Sequence, residues 1–157
     1  MKKRLIDNVP TTTPAPPHEW LNVEGLGEVE ITSEHPSHPI ESALLADQGT
    51  GWRAAEPGTQ TLRILFTHPQ PLRRIRLHFH EPDMERTQEY VLRWSADRGQ
   101  SFQDIVRQQW NFSPQGSTSE TEDHHVDLPA VTLLELRIIP DIRQRNAFAS
   151  LAQLRLA

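Results

Sequence analysis

Apolar and charged residues alternate one by one through the middle of the chain. In the clearest case Ile75, Leu77 and Phe79 are separated by arginines and histidines. A period of two places the apolar residues on one face of a β-strand and the charged residues on the other. The predicted strands are 61–66, 72–80, 89–96, 101–108, 124–128, 132–139 and 151–156. Strands with one buried and one solvated face predict an all-β, antiparallel, two-sheet jelly-roll sandwich.

The connections between these predicted strands alternate between short and long. The short ones are Thr67–Pro71, Asp97–Gln100 and Pro129–Val131, and the long ones are 47–60, 81–88, 109–123 and 140–150. Successive antiparallel strands reverse direction, so every long connection falls at the same end of the sandwich. Because long loops on a rigid scaffold commonly carry recognition, we predict a binding surface at that end.

The length of 157 residues is sufficient for one domain with its own core. We divide the chain into a Pro/Thr-rich, flexible arm at 1–18 and a sandwich at 19–157, with a short helical turn at Ile40–Ala46. The chain contains no cysteine, which excludes disulfides and thiolate metal sites. Thirteen prolines together with the strong alternation argue against an all-helical fold.

The net charge of −5 disfavours nucleic acid as a partner. No apolar run is long enough to cross a membrane. Asp7, Asn8 and Pro10 stand where a secretion signal needs an uninterrupted apolar stretch. We therefore expect a cytoplasmic protein without a nucleic-acid or membrane partner.

The alternation places several arginines on outer sheet faces, namely Arg63, Arg74, Arg76, Arg93 and Arg137. The acidic segment 19–41 contains no Lys or Arg and is one source of partners for them. Cross-strand ion pairs of this kind are individually weak and orient a segment more than they stabilise it. The alternative is an open basic stripe that binds an acidic partner.

Several motifs follow one another in a recognisable order from residue 46 onward. They are ADQGTGWR at 46–53, YVLRWSADRGQSFQDIV at 90–106, TLLELRIIPD at 132–141 and ASLAQLRL at 149–156. This order resembles the discoidin-type, or galactose-binding-like, jelly-roll domains over residues 40–157. The resemblance implies a non-catalytic module whose loops at one end bind glycans, phospholipid head groups or proteins.

The resemblance also implies a structural calcium ion between an Asp-containing turn and a terminal acid. Asp47 matches the turn, but Gln153 replaces the terminal acid, which weakens the site. We expect no cofactor and leave calcium at Asp47 as the open alternative. Trp52 matches a buried tryptophan of the family, so we expect it in the core with its indole N–H bonded to a loop carbonyl. Arg53 is expected nearer the surface.

The candidate ligand-binding residues combine guanidinium groups, an amide and one indole. They are Arg53, Arg86, Trp110, Asn111, Arg143 and Arg145. Arginines and Asn111 are suited to sugar hydroxyls, and the apolar face of a sugar packs on a flat ring such as that of Trp110. The alternative for Trp110 is a hydrophobic plug that holds its loop, which is the role expected for Phe112.

The sequence contains none of the common catalytic motifs, so an enzyme is not expected. His78 and His80 have a spacing compatible with a metal, although outward histidines paired with acids are the expected arrangement. The predicted function is binding of a carbohydrate or a similar small polar ligand at the long-loop end. The alternative is a protein–protein interaction adaptor that uses the same loops or the Arg-rich sheet face.

Overall fold

The computed structural model describes residues 20–45 and 50–157. A short 3₁₀ turn at Val23–Gly25 is followed by one short helix and eight strands. These elements are β1 (Gly27–Ile31), α1 (Glu41–Leu44), β2 (Trp52–Arg53), β3 (Gln60–His80), β4 (Arg86–Ser95), β5 (Gln103–Phe112), β6 (Ser119–Ile139), β7 (Ser150–Leu151) and β8 (Gln153–Leu156). The predicted arm at 1–18 lies outside the described residues, so the division at residue 18 stays a prediction.

The two longest strands, β3 and β6, each bend in the middle. Each has 21 residues, and a straight strand of that length extends about 70 Å, far more than the width of a small domain. The register between the two strands shifts three times, between Leu65 and Arg74. The guanidinium of Arg86 contacts Glu81 just after β3, and it contacts Pro140 just after β6. Both ends of β3 therefore lie at the same end of the molecule, and the strand doubles back.

The bends divide the strands into two layers. In the first layer the strands follow the order β1, first half of β3, second half of β6, β4 and β5. β1 and β5 are its two edges. The second half of β3 lies between β8 and the first half of β6. Phe79 of one layer contacts Tyr90 of the other, with ring centroids 5.3 Å apart. The predicted antiparallel sandwich is confirmed.

The core is formed by the inward positions of both halves of β3 and their neighbours. Ile64 and Phe66 from the first half and Ile75 and Leu77 from the second are each at most 1 % exposed. Burial of one such side chain stabilises a fold by about 1.5–3 kcal/mol. Trp52 is 3 % exposed, and its indole N–H donates to the Ser33 carbonyl at 3.1 Å. The role predicted for Trp52 is confirmed.

Two predicted short joins, 67–71 and 129–131, are bends inside continuous strands rather than turns between separate ones. Their residues remain paired, as Gln70 with Val131 shows, so the proline-rich sequence redirects the ladder without ending it. The predicted strand 151–156 is interrupted at Ala152, because β7 pairs with β2 whereas β8 pairs with β3.

Two of the long connections are shorter than predicted. The β3–β4 connection is 81–85 and the β5–β6 connection is 113–118. The polar residues on either side of 113–118 stay in the ladders of β5 with β4 and of β6 with β3. Polar sequence alone therefore did not mark a loop.

The long connections nevertheless gather at one end, here called the loop end and formed by 54–59, 81–85, 113–118 and 140–149. The Glu81 N–H donates to the Thr118 carbonyl at 2.7 Å, and the Gly58 N–H donates to the Ala147 carbonyl at 3.0 Å. The opposite end, here called the turn end, contains the turn 96–102 and the two bends. The predicted grouping of these connections at one end is confirmed, but the contrast in length is not, because the turn 96–102 is longer than either 81–85 or 113–118.

The outer face of the larger sheet carries a ladder of opposite charges. Glu135 is 2 % exposed and accepts hydrogen bonds from Arg63 at 2.8 Å and Arg93 at 2.5 Å. Arg63 also lies 3.9 Å from Glu30 of the acidic segment. This contact fits the first of the two predicted alternatives, in which the acidic segment pairs with the outer arginines.

No helix within residues 20–45 and 50–157 has the length and hydropathy needed to cross a membrane.

Candidate functional site

A buried arginine forms the base of the loop end. Arg86 is 2 % exposed, and its Nε donates to Glu81 Oε1 at 2.9 Å. Its Nη1 donates to the Pro140 carbonyl at 2.7 Å and to Gln88 Oε1 at 3.2 Å, and its guanidinium lies 5.2 Å from the centre of the Phe112 ring. Its guanidinium joins the 81–85 connection to the 140–149 loop, and the expected contact of Arg86 with a ligand stays a prediction.

A second buried charge shapes the 140–149 loop. Asp141 is 2 % exposed and accepts from the Arg143 N–H at 3.1 Å and from Arg145 Nε at 2.5 Å. Burial alone raises the pKa of Asp141, but these bonds outweigh it, so the pKa lies below its ordinary value. Arg145 also donates to the Glu85 carbonyl at 2.7 Å. Asp141 thus fixes the loop that carries Arg143 and Arg145.

Four of the six predicted ligand residues line one pocket of about 280 Å³. Its lining comprises Glu85, Arg86, Thr87, Asn111, Phe112, Ser113, Arg143 and Arg145. Asn111 accepts from the Thr87 hydroxyl through Oδ1 at 2.6 Å, which leaves its amide N–H₂ directed away from that bond. Arg143, Arg145 and Asn111 are exposed and present N–H donors at the pocket. A pocket of this size suits one small polar ligand.

Arg53 stands beside this pocket rather than in its lining. It is exposed, as predicted, and its guanidinium lies 5.6 Å from the centre of the half-buried Phe148 ring. The pKa of Arg86 is lowered, mainly by burial. The hydrogen bond and charge of Glu81 raise this pKa, whereas the positive charge of Arg53 lowers it. Arg53 therefore adds positive charge near the pocket.

Trp110 leaves β5 on the opposite face from Asn111, because neighbouring residues of a strand alternate. It is in register with the buried Gln88, it is 37 % exposed, and its Nε1 donates to Ser117 Oγ at 3.2 Å. Trp110 therefore covers the side of the sandwich between β5 and β6. The structure does not bring it into the pocket with Arg143. Phe112 is fully buried, as predicted.

Residues 28–154, from β1 to β8, match the F5/8 type C domain. The chain belongs to this family. The discoidin-like resemblance drawn from the sequence is thereby confirmed. No curated protein sequence matches the chain significantly.

Solved structures give the same fold for this F5/8 type C domain. A CBM32 module from Clostridium perfringens, CpGH89CBM32-5, in complex with GalNAc-β-1,3-galactose, superposes with a TM-score of 0.65 at 18% identity and covers 88% of this chain and 99% of its own. The family 32 module of Clostridium perfringens NanJ, in complex with galactose, gives 0.64 at 14% identity, with 87% and 96% covered. The CBM32 of AlyQ, in complex with 4,5-unsaturated mannuronic acid, gives 0.62 at 11% identity, with 84% and 95% covered.

Two possible metal sites were considered from the sequence, one at Asp47 and Gln153 and one at His78 and His80. Asp47 lies outside the described residues, and Gln153 lies on β8 in register with His78. His78 bonds the Thr121 hydroxyl at 2.8 Å rather than an acid, which corrects the expected acid pairing. In the part of the chain that is described, no three His, Asp or Glu side chains meet in a way that could hold a metal ion.

Sequence reasoning missed the residues that hold the pocket in this F5/8 type C domain. Glu81, Asp141 and Thr87 are not among the candidate residues drawn from the sequence. One signal was available: extending the inward positions Tyr90 and Leu92 back along β4 places Arg86 on the buried face. No local signal marks Asp141, because its burial depends on the 140–149 loop folding over β4.

Proposed function

We propose that this F5/8 type C domain is a non-catalytic module that binds a carbohydrate through the pocket at its loop end. The observation that supports the proposal is the convergence of Asn111, Arg143 and Arg145 at that pocket. Guanidinium and amide donors in fixed positions are suited to the directional hydrogen bonds of sugar hydroxyls. The sugar complexes of structures with the same fold lend further support.

The buried network beneath the pocket fits this role. Asp141 holds Arg145 in place, and Arg86 ties the 81–85 connection to the 140–149 loop. Donors that are held before the ligand arrives lose little side-chain entropy on binding. A single small pocket still gives modest affinity, so we expect a dissociation constant in the micromolar to millimolar range, or ~4–8 kcal/mol.

Calorimetric titration with a panel of neutral and acidic monosaccharides and disaccharides tests the proposal. Arg143→Ala is expected to weaken binding about tenfold, which corresponds to one lost hydrogen bond from a charged donor. Its folding stability should stay within about 0.5 kcal/mol of wild type, because the side chain is exposed. The matched control is Arg73→Ala, an exposed arginine near the bend at the turn end.

Wild-type affinity is expected in Arg73→Ala. Absence of binding to every sugar in the panel, or equal losses in the two variants, would contradict the proposal.

A further inference from the structure

The inward face of the first half of β6 is unusually polar. Glu120, Glu122 and His124 occupy the same face as the buried Leu128, because they are separated from it by even numbers of residues. Glu120 is 5 % exposed and is in register with Phe79 of β3. A strand face that packs into a core is normally apolar. Three polar inward positions in succession therefore call for a physical explanation.

Most of these polar groups have partners, but Glu120 has none. Tyr90 Oη lies 2.8 Å from His124 Nε2, and Gln108 Nε2 donates to Glu122 Oε1 at 3.0 Å. Within residues 20–45 and 50–157, neither carboxylate oxygen of Glu120 has a hydrogen-bond partner. An unpaired charge in this position costs several kcal/mol, whereas a neutral carboxylic acid costs far less.

The surroundings of Glu120 offer repulsion rather than compensation. The titratable groups that face it are Glu122 and His124 from β6 and Tyr90 from β4. The nearby positions of β5 are uncharged. On β3, Phe79 is in register with Glu120, and the titratable His78 and His80 flank Phe79 on the opposite face, with His78 beside the Glu120 backbone. The closest buried cation on the inward face of β4, Arg86, is already neutralised by Glu81. Burial is the main cause that raises the pKa of Glu120 to about 7, and the charge of Glu122 is the second. Burial and the charges of Glu122 and Glu120 also raise the pKa of Tyr90.

Glu120 also stands directly beside the loop end. The preceding 113–118 connection is held by the bond from the Glu81 N–H to the Thr118 carbonyl, at 2.7 Å, and by that from Trp110 to Ser117. Glu81 in turn pairs with Arg86 beneath the pocket. A change in the packing of Glu120 therefore acts on the segment that closes the side of the loop end.

We propose that Glu120 is a neutral carboxylic acid in the folded protein at acidic pH, and that loss of its proton beside Glu122 loosens the start of β6 and the 113–118 connection. The inference does not depend on what the pocket binds. A carboxyl whose pKa is raised on folding stabilises the fold most below its ordinary value of 4.5. That contribution falls as the pH rises from 4.5 to about 7 and is constant above this range.

Thermal unfolding of the full chain at about pH 5 and about pH 8 tests the inference. The Tm of wild type is expected to be lower at about pH 8 than at about pH 5. Glu120→Gln keeps the shape of the side chain and cannot ionise, so its Tm should differ much less between the two pH values. At about pH 8 the variant should be more stable than wild type. Glu28→Gln, a change of an exposed glutamate on β1, is the matched control and should keep the wild-type fall.

An equal fall in wild type and Glu120→Gln, or no fall in wild type, would overturn the inference. Near-ultraviolet circular dichroism verifies that Glu120→Gln is folded. If it is not, the conservative variant Glu122→Gln, which removes the like charge beside Glu120 but not its burial, should show a smaller fall than wild type, and an unchanged fall would overturn the inference.

Amide hydrogen exchange tests where the loosening occurs, after correction for the intrinsic rate at each pH. The amides of Glu81 and of residues 117–120 are expected to lose more protection at about pH 8 than those of the central β3–β6 ladder, and only in wild type. Equal loss of protection across the whole domain would contradict local loosening.

Discussion

The two ends of the sandwich use polar groups in different ways. At the turn end, both oxygens of Asp97 accept short bonds from Ser95 and Ser101, at 2.6 and 2.5 Å. The Arg98 side chain bonds the Phe66 and Thr67 carbonyls, so the polar groups are used within the turn. At the loop end, the buried Arg86 and Asp141 are hydrogen-bonded, whereas Gln88 Nε2 has no partner, and Arg143 and Asn111 remain exposed above them.

This difference separates structural polarity from functional polarity. At the turn end, Asp97 and Arg98 are exposed, but their polar groups are bonded within the turn and to the neighbouring bend, so the network only stabilises the turn. A network that carries exposed donors on its upper side also positions them for a ligand. Arg86 and Asp141 are therefore support for the pocket, and Arg143 and Arg145 are its contact groups.

The largest expected effect is on the buried support of the loop end. Arg86→Met removes the guanidinium from its bonds with Glu81 and Pro140 and leaves a buried carboxylate without its partner. Loss of one member of a buried ion pair is expected to lower the free energy of unfolding by about 3–5 kcal/mol, measured by denaturant titration. The double variant Arg86→Met with Glu81→Gln should regain part of it. A loss below about 1 kcal/mol would show that Arg86 does not hold the two connections together.

A smaller effect is expected at the turn end. The Ser101 and Ser95 hydroxyls and the Ser101 N–H lower the pKa of Asp97 to about 2. A depressed pKa stabilises the fold fully above the ordinary value of 3.8, and that contribution is lost as the pH falls through about 2. Asp97→Asn should lower the Tm at neutral pH and flatten its acid dependence, without changing sugar affinity. A change in affinity would remove the contrast between the two ends.

The smallest expected effect on binding concerns Trp110. Its ring lies on the face of β5 away from Asn111, so Trp110→Ala should change sugar affinity by less than about twofold. It should lower thermal stability, because the ring covers the side of the sandwich beside Ser117. A tenfold loss of affinity, seen by the same calorimetry, would extend the binding surface onto the edge of β5 and restore the stacking role considered from the sequence.

Strand alternation was sufficient to predict the layers and the side on which the long connections lie. It could not distinguish a turn from a bend at Pro69 and Pro71, because both produce the same local sequence. The burial of Arg86 follows from strand alternation, because Tyr90 is an inward position of the same strand. The burial of Trp52 follows from the order of the motifs in the family resemblance. The burial of Glu120 was not predicted, since the polar segment 119–123 was assigned to a connection and the predicted strand began at 124.

The position of the sugar site is tested most directly by a nuclear magnetic resonance titration of the wild-type chain with a sugar that binds in calorimetry. Amide shifts are expected to concentrate at Asn111 and residues 143–145, while the turn at 96–102 remains unchanged. Shifts centred on the turn end, or on the outer sheet faces with none at the loop end, would contradict this position.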